Sequence, residues 1–233
     1  MIFRVGIENN NDDRTIAWSL DHPGCFAYGQ DREEAQKNFH QAAHKYAAWI
    51  ALHGESWLDD EVKVIVEEIF DVYFIDASFE RVGRGKDTFM VESFFLNDWK
   101  PLASHEVERA LKLLAWSRAD LLNVVKDLSA EKLAQTYPNE RWPINGILKH
   151  VGGAEWWYLE RIGYPSPEKK NIPADPFERL TVVRDHFTST LPKLEGVDRV
   201  VGREGEIWSP RKVLRRALWH ERDHTEHIRK LLV

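Results

Sequence analysis

Along the first hundred residues apolar and polar positions alternate. Phe3, Val5 and Ile7 fall on one side of an extended chain, with Arg4 and Glu8 on the other. The run Asn9-Asn10-Asn11-Asp12-Asp13 is turn chemistry, and Ile16, Trp18 and Leu20 then alternate with Ser19 and Asp21, which predicts a hairpin ended by Pro23-Gly24. Cys25 to Tyr28 reads as a third short strand. Asp31 with Glu34 three residues on is a helix-capping pair, and Ala35, Phe39, Ala42, Tyr46 and Trp49 recur at helical spacing before His53-Gly54 ends the helix. Val62, Val64 and Val66 begin a fourth strand, and residues 71–98 read as further strand material around Gly83-Arg84-Gly85. The predicted order is β-β-β-α-β.

After residue 100 the period changes to that of helices. Val107, Ala110, Leu111, Leu114, Leu121 and Val125 form one stripe over 105–127. Ser129 can cap a short turn. Trp142-Pro143, Asp175-Pro176 and Ser209-Pro210 open three more helices, each with proline in the first turn. Four such helices predict a bundle, with long connections at 163–175 and 195–208. The fold class expected is therefore α+β in two domains: a small β-β-β-α-β domain over 1–100 and an all-α four-helix bundle over 101–233.

Charge supports the division. Residues 1–100 carry 19 acids and 10 bases, whereas residues 101–233 carry 19 acids and 22 bases. The net charge of −6 over the 233 residues argues against a nucleic-acid binder. A single cysteine excludes a disulfide framework and a thiolate zinc cage, and points to a reducing compartment. Cys25 itself reads as a small buried turn residue. No apolar run is long enough for a membrane span, and the N-terminus lacks a signal-peptide layout, so a cytoplasmic location is expected.

The sharpest chemical signal lies near the end, in Trp219-His220-Glu221-Arg222-Asp223-His224-Thr225-Glu226-His227-Ile228. His220 and His224 are four apart, about 40° of helix rotation and roughly 6 Å of rise, so both imidazoles leave one face. The seam Val213, Ala217, His220, His224, Ile228, Leu231 puts them on the buried stripe, where imidazoles need partners. A divalent metal would satisfy both. His150 shares a stripe with Ile147, Ala154 and Trp157 and can supply a third nitrogen. His227 could substitute for His224 or act at the helix C-terminus. The same string fits H-E-x-x-H, the zinc-peptidase motif, with Glu221 as general base, although no downstream helix supplies a third acidic ligand. Trp156, Trp157 and Trp219 are the candidate walls of a substrate pocket. Arg141, Arg215, Arg216 and Arg222 could hold an anionic substrate, or form a solvated basic face.

The segments Ile147-Leu148-Lys149-His150-Val151, Ala154-Glu155-Trp156-Trp157, Trp208-Ser209-Pro210 and 219–228 resemble the DinB-like family over residues 102–233. That resemblance implies a four-helix bundle with a divalent metal on three histidines, here His150, His220 and His224. It also implies activities such as thiol-dependent transfer and isomerisation, with the metal activating a thiol or water. The stretch from Asp21 to Ala35, with its Pro-Gly-Cys turn and acidic helix start, resembles the HicB-like antitoxin domain over residues 1–70. That resemblance implies a protein-binding module.

Two functional expectations follow. One is an enzyme, a hydrolase or thiol transferase acting on a small molecule. Its divalent transition metal, zinc or nickel, sits on the three histidines, with Glu221 as proton acceptor. The alternative is a non-catalytic module in which the metal is structural or absent and the N-terminal domain captures a protein partner. An uncoordinated position favours the first; a fourth ligand such as His227 or Glu155 favours the second. A homodimer is compatible with either, and neither nucleic acid nor membrane is an expected partner.

Overall fold

The computed structural model describes residues 2–57 and 61–233. The chain divides into two compact units, residues 1–100 with 200–208 and residues 101–199 with 209–233. Among the described residues no helix is long and apolar enough to cross a membrane.

The first unit is built on a sheet of β1 (Ile2–Asn11), β2 (Arg14–Ser19), β3 (Phe26–Gly29) and β4 (Lys63–Asp71), with α1 (Arg32–Leu52) between the last two. The strand order is β3-β2-β1-β4. The first three strands pair antiparallel, whereas β4 runs parallel to β1, as a helical crossover requires. The β1–β2 turn places Asp12 and Asp13 at φ 49° and 64°, the left-handed region that short polar side chains tolerate. Asp31 caps α1 by accepting from the Glu34 backbone N–H at 2.9 Å. The buried stripe of α1 is Ala35, Phe39, Ala43, Tyr46 and Ile50. Ala42 and Trp49, expected on it, are only half-buried, because the helix turns its 35/39/43/46/50 row to the sheet. The closest approach is at Gly29, where a Cβ would lie 2.2 Å from the Ala35 backbone nitrogen. No side chain fits between β3 and the start of α1.

Both faces of β1 are covered. Phe3, Val5 and Ile7 are buried, and the Phe3 and Phe39 rings meet edge-on at 5.8 Å. On the other face Glu8 is also fully buried. Its carboxylate accepts from Trp18 Nε1 at 2.9 Å, Ser93 Oγ at 2.5 Å and Asn11 Nδ2 at 2.6 Å. Three donors compensate the burial of this polar group.

A second sheet of β5 (Tyr73–Ile75), β6 (Arg81–Val82) and β7 (Phe89–Val91) has the order β6-β5-β7. The same unit takes in a late hairpin, β8 (Val201–Arg203) and β9 (Glu206–Trp208). Its two-residue loop, Glu204-Gly205, has φ 52° and 81°, the double positive φ of a tight hairpin. Gly205 sits where a Cβ would meet Ile75 Cδ1 at 2.0 Å, and the Glu206 carboxylate accepts from the Glu92 backbone N–H at 3.3 Å. These contacts correct the division at residue 100: the stretch 200–208, expected as a bundle connection, packs within the first unit.

The second unit is helical: α2 (Ser104–Val125), the short α3 (Ala130–Ala134), α4 (Ile144–Arg161), α5 (Pro176–Thr190) and α6 (Pro210–Leu231). Ser129, Asp175 and Ser209 cap α3, α5 and α6 with their side-chain oxygens, as their spacing predicts. A core of Leu121, Val125, Ile144, Ile147, Leu148, Val151, Leu180 and Ile228 joins α2, α4, α5 and α6. Within α6 every residue from Pro210 to Glu221 is buried, so Arg215 and Arg216 do not lie on a solvated face.

Candidate metal centre

The centre is assembled by α4 and α6. Ser209 starts α6 so that His220 and His224, one turn apart, leave the helix on the seam it shares with Ile228. On α4, His150 lies between the buried Ile147 and Val151. The three imidazoles converge through the same ring nitrogen. His220 Nε2 is 3.0 Å from His150 Nε2 and 3.2 Å from His224 Nε2. Among the described residues these three are the group of ligand atoms placed to share one ion, all within 4.8 Å of one another.

The protonation chemistry agrees with a cation site. Burial, the His224 and His150 rings and the Arg216 charge hold His220 well below the ordinary imidazole range. Burial first, then His150 and His227, bring His224 down to about 3. Burial and the Arg141 charge lower His150. All three rings are thus neutral at pH 7. Hydrogen bonding cannot satisfy them together: His220 Nε2 faces two ring nitrogens but carries either one proton or one lone pair. A divalent ion takes all three lone pairs. Nitrogens bound at 2.0–2.1 Å in a tetrahedron sit roughly 3.3 Å apart, close to the separations seen here. The donor set therefore fits a divalent transition metal, whose identity three imidazoles do not fix.

Aromatic rings lie against the histidines. Trp142 lies tilted by 32° against His150 with centroids 4.8 Å apart, and Tyr158 meets His220 edge-on at 6.1 Å. Trp219 lies 5.8 Å from His220, with the Arg216 guanidinium over its indole. Of the three tryptophans named from sequence, Trp219 is in ring contact with His220. The Trp156 N–H donates to the Pro167 carbonyl, and Trp157 lies beneath the Arg161 guanidinium. Trp142 was legible only as the residue opening α4; its approach to His150 follows from the turn before the helix.

Glu221 is not placed to be a proton acceptor. Its carboxylate, 2% exposed, accepts from Arg118 Nε at 2.6 Å and from Arg184 Nη2 at 2.8 Å. Burial alone would raise its pKa, but the Arg184 and Arg118 charges hold it down to about 2. A carboxylate so engaged is a weak base, which corrects the role read from the H-E-x-x-H string and removes the support for a peptidase. Nor do the two candidate fourth ligands join the trio. Glu155 binds the same two arginines, at 2.7 Å and 2.5 Å. His227 Nε2 pairs with the Glu140 carboxylate at 3.1 Å.

Arg118 and Arg184 escaped the sequence reading. Their signal was present: Arg118 interrupts the stripe Leu114, Leu121, Val125, and Arg184 falls between Leu180 and Phe187. A charged residue on an apolar seam demands an opposite partner, here supplied by Glu155 and Glu221 on seams of their own.

Residues 113–228, which contain all three histidines, match the DinB superfamily. YfiT from Bacillus subtilis, described as a probable metal-dependent hydrolase with an unusual four-helix bundle topology, is similar at 19% identity. The similarity spans 56% of this chain and 87% of that one, with a TM-score of 0.44. No curated protein matches the chain.

Proposed function

We propose that the second unit is a metal-dependent enzyme of the DinB type, a hydrolase or thiol-dependent transferase, working at His150, His220 and His224 on a small-molecule substrate. The observation that carries this reading is the convergence of three neutral Nε2 atoms while Glu155 and His227 are engaged elsewhere. Three protein ligands, rather than four, are the set found where a position is kept for water or substrate. When bound, the divalent ion supplies Lewis acidity that makes a water or thiol nucleophilic near neutral pH.

The chain supplies the rest. Trp142 and Tyr158 place aromatic rings against His150 and His220, which orients those imidazoles. With Glu221 spent on Arg118 and Arg184, the proton acceptor falls to the His227–Glu140 pair, whose imidazole lies 6.0 Å from that of His224.

The test is metal content by plasma mass spectrometry on untagged protein, beside a His220→Ala/His224→Ala variant. About one equivalent of zinc or nickel in the parent and none in the variant is expected, and would justify a screen of hydrolytic and thiol-transfer reactions. No metal in either, even after incubation with both ions, would overturn the reading.

A further inference from the structure

The second unit contains a closed ring of charge with one member from each long helix: Arg118 on α2, Glu155 on α4, Arg184 on α5 and Glu221 on α6. Arg118 reaches Glu221 at 2.6 Å and Glu155 at 2.7 Å; Arg184 reaches Glu155 at 2.5 Å and Glu221 at 2.8 Å. Each arginine also donates to a backbone carbonyl of the helix carrying the other, Arg118 to Leu180 and Arg184 to Leu114. All four side chains are at most 10% exposed.

Stability alone does not explain such a ring. Replacing a buried ion network by apolar side chains of like volume is often neutral or stabilising, because desolvation offsets much of the attraction. What charge adds is register. Two forked guanidinia between two carboxylates accept one axial offset and one rotation per helix. A greasy seam tolerates sliding.

Register is what the histidines need. Glu221 follows His220 directly, and Glu155 lies five residues beyond His150 on the same helix. Metal-binding histidines are ordinarily aimed by a hydrogen bond from their second ring nitrogen. His224 lacks this: its Nδ1 is buried without a partner. Its aim comes from the backbone of α6, and the ring holds α6 against α4.

We propose that Arg118, Glu155, Arg184 and Glu221 are positioning residues that set the register of α4 and α6, and thereby the geometry in which the three Nε2 atoms meet one ion. This rests on the metal-centre reading above. The ring touches neither substrate nor ion.

The experiment uses the full chain and cobalt(II), whose visible absorption reports coordination geometry. The parent is compared with a fourfold variant, Arg118→Met, Glu155→Met, Arg184→Met and Glu221→Leu, and with the single variants Glu221→Gln and Arg184→Lys. Folding of each metal-free protein is checked by cooperative melting. The expected result is a cobalt dissociation constant raised on the order of 10- to 100-fold in the folded variants, with an altered absorption band. Folded variants whose affinity stays within threefold of the parent, with the same spectrum, overturn the proposal while leaving the metal reading intact. If the fourfold variant does not fold, the single variants decide by the same criterion. Failure of the parent itself to take up cobalt overturns the metal reading, and this proposal with it.

Discussion

Replacing His224 by leucine should raise the stability of the metal-free protein while abolishing its response to metal. The trio leaves one ring contact unsatisfied and His224 Nδ1 without a partner, whereas His150 and His220, 3.0 Å apart, can share one N–H···N bond as a pair. An unsatisfied buried polar group costs about 1–3 kcal/mol, and leucine has similar bulk and no such need. In chelator, His224→Leu should therefore gain about 1–2 kcal/mol, roughly 5 °C in melting temperature. Zinc at a hundredfold excess over its dissociation constant adds about 2.7 kcal/mol to the parent and nothing to the variant, so the order reverses. Acid sharpens the contrast. The His224 pKa falls from 6.5 to about 3 on folding, so between these values the unfolded chain holds the extra proton. Parent stability is thus lost as pH drops from 6.5 toward 3, by about 2 kcal/mol at pH 5 from this group, a loss the variant escapes. The assay is thermal and urea unfolding with chelator or zinc at pH 7.5 and pH 5. A variant less stable than the parent in chelator, or one still stabilised by zinc, would refute the reasoning.

Other consequences are as direct. Three imidazoles titrating at 6.5 would lose about 70-fold in zinc affinity between pH 8 and pH 6. Because all three are lowered here, competition titrations should show a far smaller loss. Gly29→Ala forces a Cβ against the Ala35 backbone, which no rotamer relieves, and should cost about 3 kcal/mol in urea unfolding. Glu8→Gln turns an amide nitrogen toward the donors of Trp18, Ser93 or Asn11, and should cost about 1–3 kcal/mol by the same method; a neutral result would mean that the carboxylate is not the acceptor drawn here.

The sequence by itself determined the local elements and marked the histidines that the structure brings together. Caps at Asp31, Ser129, Asp175 and Ser209 are hydrogen bonds within three residues, and the i, i+4 relation of His220 and His224 is a property of one helix turn. Such features are legible because everything that fixes them is adjacent in the chain. The family resemblance added His150, which spacing could offer only as a candidate. Only tertiary structure decided the use of Glu221, since its partners Arg118 and Arg184 lie 103 and 37 residues away. The same holds for Trp142 beside His150, because a ring's neighbours depend on how the chain before α4 folds back. It holds also for the β8–β9 hairpin, whose short strands carry little pattern of their own. They find their place through Gly205 against Ile75, separated by 130 residues. Periodicity reports which face of an element is buried; it does not report what that face meets, because long-range pairing depends on every element at once.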